Sequence, residues 1–162
     1  MQIRQLQVAH DSIQDRLLLR IATQADEEFR VWLTRRFLGK LWPVLADKLV
    51  AAPAATPTER VTEPPSFSEV FRDDEATYPL GIAPLLSSEI KFDALPDGSC
   101  SLLFREGRER SFRLNLTAEL LQALCAMLRA GAAQAEWQLA LDYAPAVKPA
   151  APASPPSSTR LH

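Results

Sequence analysis

Two stretches of the sequence, FRVWLTRRFLGKLWPVL at residues 29–45 and FRLNLTAELLQALCAML at residues 112–128, decide the fold. They align without a gap and share seven of their 17 residues, namely a Phe, an Arg, a Thr and four leucines. Apolar residues alternate with others up to the Thr, as in a strand covered on one face, and then recur at helical spacing. Thr34 and Thr117 stand where a helix N-cap belongs. The chain therefore contains one strand–helix unit twice.

The similarity continues upstream of both stretches. Residues 17–20 (LLLR) match residues 102–105 (LLFR), and a further strand-like run precedes each, at residues 3–8 and 90–95. Turn-forming residues follow each of these first runs. We therefore predict an α+β fold built by internal duplication of a βββα unit, with one helix packed on each antiparallel sheet.

The composition along the chain divides it into five parts, of which the two repeats are expected to form one pseudo-symmetric domain. The two parts rich in Pro and Ala have no apolar period and cannot bury enough surface to fold. The parts are a first βββα repeat at 1–50, a linker at 51–66, a connecting segment at 67–87, a second βββα repeat with an extra strand at 88–143, and a disordered tail at 144–162.

Two single residues and one alternating pattern predict further details of the helices and an extra strand. Gly131 is expected to end the second helix, and Pro43 to kink the first. Beyond Gly131, the apolar residues Trp137, Leu139 and Leu141 alternate with others up to Tyr143, which favours a strand, with a continued helix as the alternative.

Candidate catalytic groups are sparse. His10 and His162 offer neither a catalytic triad nor a set of metal ligands, and the five glycines form no phosphate-binding loop. His10 beside Asp11 could be a general base, but an ordinary turn residue is the favoured interpretation. Cys100 and Cys125 are too few for a disulfide scaffold. We predict a non-enzymatic protein with no cofactor and no metal.

The chain shows no signal for a membrane or for secretion. No apolar run approaches the roughly 20 residues that a membrane-spanning helix needs. The first residues also lack the apolar core of a secretory signal. We therefore expect a cytoplasmic protein with no membrane partner, and the net charge of −2 argues against binding to duplex DNA by charge alone.

Strand alternation places a set of polar and aromatic side chains on the outer sheet faces: Arg20, Arg30, Trp32, Arg105, Arg113 and Asn115. Guanidinium groups bind phosphates, and an indole stacks on a base for about 1–3 kcal/mol, so this set is a candidate surface for single-stranded nucleic acid. The favoured alternative is a solvated face whose arginines pair with nearby carboxylates, those of Glu27, Glu28, Glu106 and Glu109. The acidic run at residues 26–28 is itself expected to be a solvated hairpin loop.

Tandem units of antiparallel strands followed by a helix resemble the PUR-alpha and Whirly families of single-strand-binding proteins. The resemblance covers both repeats and lies in the topology alone, so no binding residue is carried over from those families. It implies that the two repeats interlock and that the sheet binds nucleic acid. Repeats in those families usually have four strands, whereas three are predicted in each repeat of this chain.

Two functions follow from these patterns. The favoured one is a non-enzymatic interaction module that binds a protein partner or a second copy through a sheet face or edge. Apolar residues at outward strand positions, Leu18, Trp32 and Leu103, support it. The alternative is binding of single-stranded DNA or RNA to the outer face that carries the arginines and Trp32.

Overall fold

The computed structural model describes residues 1–51 and 76–141 of the chain. These residues form seven strands and two helices. In chain order they are β1 (Ile3–Asp11), β2 (Arg16–Thr23), β3 (Glu28–Leu33), α1 (Arg35–Ala51), β4 (Leu85–Leu86), β5 (Glu89–Ala94), β6 (Cys100–Glu106), β7 (Arg110–Leu116) and α2 (Ala118–Gln134).

The strands form two sheets, and each sheet belongs mainly to one repeat. The first has the order β1-β2-β3-β4 and the second the order β5-β6-β7. Consecutive strands within each repeat are antiparallel, as the short turns between them require. The predicted α+β fold with a duplicated βββα unit is therefore confirmed.

The first sheet has one strand more than predicted. The short strand β4 comes from the connecting segment and lies parallel to β3, with Leu85 opposite Val31 and Leu86 opposite Trp32. Just after β4, the Ser87 amide donates to the carbonyl oxygen of Trp32 on one side of the chain. The next amide, that of Ser88, donates to the Arg105 carbonyl oxygen in the second sheet. The connecting segment thus passes directly from the β3 edge into the second sheet.

The two repeats are interlocked. Phe29 and Phe112, which are equivalent residues of the repeated stretch, stack on each other with 4.4 Å between ring centroids. Helix α2 packs across β1 of the first sheet, while α1 lies against β5 of the second. Phe37 of α1 also lies 6.5 Å, centroid to centroid, from Phe104. Each helix therefore covers the apolar face of the other repeat's sheet, and both sheets share one core.

The second helix is longer than the sequence predicted. Helix α2 does not end at Gly131 but continues to Gln134, so that prediction was wrong. Gly131 is buried instead, because the helix approaches the first sheet closely at this point: a Cβ there would lie 3.1 Å from Leu17 and 3.2 Å from Val8. Helix α1 extends from Arg35 to Ala51 and includes Pro43, and the kink expected there stays a prediction.

The predicted extra strand is absent from residues 137–141, which form an irregular segment. Glu136 and Gln138 have φ angles of 54° and 53°, in the left-handed region, so the backbone cannot extend as a strand. Trp137 is only 3% exposed, and its indole N–H donates to Asp15 at 2.9 Å. The alternation seen in the sequence comes from a turn that buries Trp137 and Leu141.

Some predicted features fall outside the described residues. They are the linker beyond Ala51, the first part of the connecting segment, the last two residues of the predicted strand, and the tail. Within the described ranges, neither helix is long and apolar enough to cross a membrane.

Replacing Gly131 by Leu should test the close packing of α2 on the first sheet. The new side chain would overlap Leu17 and Val8, and overpacking of this kind costs about 1–3 kcal/mol. Urea unfolding of the purified protein measures the loss. Gly39→Ala is the control, since its Cβ meets only a Leu139 methyl at 4.0 Å and should leave stability unchanged or raise it by up to about 1 kcal/mol. Equal stabilities of the Gly131→Leu variant and the wild type would contradict this packing.

Candidate functional site

The six outward residues predicted from the sequence fall into two groups on two different sheets. On the first sheet, Arg20 is the cross-strand neighbour of Arg30, and Trp32 lies two residues further along the same face. On the second sheet, the exposed residues Arg105, Arg113 and Asn115 share the outer face. No hydrogen bond, ion pair or strand pairing within residues 1–51 and 76–141 joins one group to the other.

The arginines of the first sheet are held by a buried carboxylate. Glu28 is 1% exposed, and its Oε1 accepts hydrogen bonds from Arg20 Nε at 2.8 Å and Arg30 Nε at 2.6 Å. Glu28 is the first residue of β3 and not part of a solvated loop, so that expectation was wrong for this residue. Glu28 and Arg30 are two residues apart in β3, so their side chains lie on the same face of the sheet. Arg20 is the cross-strand neighbour of Arg30, and the Glu28 carboxylate can therefore reach both guanidinium groups. The pairing of these arginines with Glu28, favoured from the sequence, is present.

The charge of Glu28 is set by two opposing effects. Burial disfavours the ionised carboxylate and by itself would raise the pKa of Glu28. The hydrogen bonds and the positive charges of Arg20 and Arg30 outweigh burial, so the pKa of Glu28 lies below its ordinary value. Glu28 is therefore ionised at neutral pH and offsets one of the two positive charges on this face.

The connecting segment completes this cluster with an aromatic residue. The Arg30 guanidinium lies 4.7 Å from the centroid of the Tyr78 ring, and its Nη2 donates to the Tyr78 hydroxyl at 3.2 Å. Arg20 in turn donates through Nη1 to Gln7 at 3.4 Å. We call Arg20, Glu28, Arg30 and Tyr78 the arginine cluster. Both guanidinium groups already donate hydrogen bonds to protein atoms, which lowers their attraction for phosphates.

An apolar row runs beside the arginine cluster across the whole first sheet. Its members are cross-strand neighbours in four successive strands: Ala9, Leu18, Trp32 and Leu86. All four are half-buried, and among the described residues they belong neither to the core nor to the side chains packed against it. The sequence predicted Leu18 and Trp32 as outward residues but missed Leu86, because a two-residue parallel strand leaves no periodic signal.

The second sheet presents a different outer face. Arg105 and Arg113 are exposed, and none of the ion pairs in the described part of the chain includes either of them. Glu106, expected to pair with these arginines, instead pairs with Arg110 of the same hairpin. Leu103 is half-buried, and Arg113 is its cross-strand neighbour. The outer face of the second sheet therefore carries two arginines without an ion-pair partner among the described residues, whereas Trp32 lies on the outer face of the first sheet.

The groups that could support catalysis are dispersed or unreactive. His10 Nε2 lies 3.3 Å from Asp15 Oδ1 and not beside the Asp11 carboxylate, which accepts the amides of the following turn. Burial raises the pKa of the Cys100 thiol, and it raises the pKa of Cys125 to about 12, so both thiols are protonated at neutral pH. In the two described ranges, no three His, Cys, Asp or Glu side chains are close enough to hold a metal ion.

Comparison of the chain with protein-family models, with curated proteins and with solved structures finds no significant match. The resemblance to the PUR-alpha and Whirly families thus stays a prediction from topology. The fourth strand of the first sheet does not supply the fourth strand that repeats in those families usually have, because β4 comes from the connecting segment and follows α1.

Replacing Glu28 by Gln tests the arginine cluster through its pH dependence. Because the pKa of Glu28 is lowered on folding, its contribution to stability is full above the ordinary pKa of Glu, about 4.3, and is lost as pH falls through the lower folded value. Chemical unfolding from pH 7 to pH 3 should show the variant about 1–3 kcal/mol less stable at pH 7. The difference should shrink as the pH falls.

The exposed hairpin residue Glu109 provides the matched control, since Glu109→Gln should leave both the stability and its pH profile near those of the wild type. A Glu28→Gln variant with wild-type stability at pH 7, or with a deficit that stays constant down to pH 3, would contradict the role assigned to this carboxylate.

Proposed function

We propose that this protein is a non-enzymatic interaction module that binds a protein partner, or a second copy of itself, through the outer face of the first sheet. The observation that carries the proposal is the apolar row, which crosses all four strands and stays outside the core. Apolar side chains that are aligned on an outer sheet face and only half-buried are typical of surfaces that another protein covers.

The composition around the row supports the same function. Trp, Tyr and Arg are the residues most enriched among those that dominate binding energy at protein interfaces. Trp32 lies in the row, and Arg30 and Tyr78 lie beside it in the arginine cluster. Because the arginines are already paired with Glu28, a partner covering this face would not have to neutralise two isolated charges.

The free cysteines bear on the location of the protein. Cys100 and Cys125 are both buried as thiols, and disulfides form mainly in oxidising compartments. We therefore include a cytoplasmic location in the proposal.

Replacing Leu18 and Trp32 together by Gln should remove the binding surface without emptying the core. We expect affinity for the partner, or for a second copy, to fall by about tenfold or more. Light scattering over a range of protein concentrations measures self-association. Binding of proteins from the source cells to immobilised full-length chain measures a heterologous partner.

The matched control is Leu103→Gln, which removes an equally half-buried Leu from the outer face of the second sheet. A protein that binds the wild type and the Leu103→Gln variant but not the double variant supports the proposal. The proposal is ruled out if the protein is a strict monomer and the wild type, the control and the double variant all bind the same proteins.

A second candidate function is binding of single-stranded nucleic acid on the second sheet. The specific observation is that Arg105 and Arg113 are exposed and form no ion pair with the described residues. Free guanidinium groups on a sheet face can bind successive phosphates. The aromatic residue predicted for base stacking, Trp32, lies on the other sheet, so binding here would depend mainly on charge and fall steeply with salt.

Fluorescence anisotropy with labelled single-stranded DNA and RNA at low salt tests this candidate. Replacing Arg105 and Arg113 together by Glu should weaken binding by about tenfold or more. The control, Arg36→Glu with Lys40→Glu, makes the same change of charge on exposed positions of α1. If the wild type does not bind, or if both double variants lose binding equally, the second sheet is not a nucleic-acid surface.

A further inference from the structure

The outer edge of β3 is filled by the chain itself. The Glu28 amide donates to the Thr77 carbonyl at 2.8 Å, and the Thr77 amide donates to the Asp26 carbonyl at 2.8 Å. Further along, the Ser87 amide donates to the Trp32 carbonyl at 3.1 Å. The connecting segment thus runs parallel to β3 and satisfies its outward backbone groups at both ends of the strand.

The equivalent edge in the second repeat is open. The repeat aligns the outward residues Glu28, Arg30 and Trp32 with Ser111, Arg113 and Asn115 of β7. In the described part of the chain, no backbone or side-chain hydrogen bond reaches these three residues outside the pairing of β7 with β6. Their side chains are all exposed. The chain adds a strand to the outer edge of β3, whereas none of the described residues occupies the equivalent position beside β7.

The charges around the two edges indicate what would fill it. In the first repeat Arg30 is neutralised by Glu28 of its own strand and touches Tyr78 of the added segment. In the second repeat Ser111 stands where Glu28 does, so β7 offers Arg113 no carboxylate of its own. A segment added to β7 would place a side chain beside Arg113, and a carboxylate there would supply the missing charge.

We propose that β7 binds an extended, acidic segment of a partner protein, added parallel to the strand, with a carboxylate beside Arg113 and two aliphatic residues opposite Leu114 and Asn115. The parallel direction and the aliphatic pair follow from β4, whose Leu85 and Leu86 lie opposite the equivalent residues of β3. Backbone hydrogen bonds would provide affinity and the side chains specificity, as in other strand additions.

A second copy of this chain is a poorer occupant of the same edge. Two β7 strands paired about a two-fold axis at mid-strand would bring Arg113 opposite the other copy's Arg113, and directly opposed like charges destabilise a strand pair. The aliphatic pair of each copy is also already used, because Leu85 and Leu86 form its own β4.

The probe is a fluorescein-labelled peptide with the sequence of residues 81–88, which spans β4, carrying the change Pro84→Glu. Residue 84 precedes the Leu pair and would lie opposite Arg113 if the peptide binds β7 in the register that β4 has on β3. The change Pro84→Glu therefore places a carboxylate beside Arg113. The matched peptide carries Pro84→Lys. Titrated with the full chain at low salt, the acidic peptide should bind roughly tenfold more tightly than the basic one. Amide chemical shifts should change along β7.

Two protein variants locate the site. Arg113→Glu should reverse the preference, so that the basic peptide binds more tightly, whereas Arg105→Glu, on the central strand of the same face, should not. Asn115→Pro removes an outward amide that the β6–β7 pairing does not use and should weaken both peptides. If a thermal melt shows that the Asn115→Pro variant is unfolded at the temperature of the binding assay, the charge reversal at Arg113 still decides the outcome.

This inference rests on the proposed function only in that the partner is a protein, and the two fail separately. Peptide binding that Leu18→Gln with Trp32→Gln abolishes and Arg113→Glu leaves unchanged would overturn the β7 site while supporting the first-sheet surface. Absence of binding by either peptide would overturn the β7 site alone. A dimer of the free protein that Asn115→Pro dissolves would also overturn it, since the edge would then belong to a second copy.

Discussion

The contact between Phe29 and Phe112 is the point around which both repeats are organised. These residues begin the two copies of the same stretch, and equivalent residues can touch each other only near an axis that relates the copies. The helices follow the same relation, since α2 lies on the first sheet and α1 on the second. Neither repeat alone could bury the apolar face of its sheet, so the two must fold as one core.

Much of this fold could be predicted because duplication and periodicity are local signals. Alternation up to Thr34 and Thr117 and helical spacing after them locate both strand–helix units. What escaped prediction depends on distant partners. β4 is two residues long and becomes a strand only because β3 has a free edge. Gly131 resembles a helix terminator, but it is buried because α2 crosses Leu17 of the other repeat. The conformations of β4 and Gly131 depend on contacts with residues far away in the sequence, and local sequence patterns do not show such contacts.

In the candidate site, too, the local features could be predicted and the contacts between distant residues could not. Strand alternation correctly placed Arg20, Arg30 and Trp32 on one outer face, since side-chain direction follows from position alone. The same rule could not show that Glu28 is buried between the two arginines, because an acidic residue next to a turn is usually solvated. The apolar row was also only half visible, because Leu86 enters it from the connecting segment.

The two sheet surfaces differ largely because one connecting segment can serve only one edge. Duplication gave both repeats an equivalent outer edge, at β3 and at β7. The segment between the repeats follows α1 and fills the first edge, supplying Tyr78 to the arginine cluster and Leu86 to the apolar row. Being covalently attached, it competes for that edge at a high effective concentration. The same segment contacts β7 through the Arg110 side chain, which donates to the carbonyls of Leu80, Ala83 and Pro84. In the described part of the chain, however, no added strand pairs with the outer edge of β7, and Ser111 in place of Glu28 leaves Arg113 without the charge that neutralises Arg30. The edge of the first sheet is thereby filled within the chain, whereas among the described residues the β7 edge stays open, and there we propose that a partner strand adds.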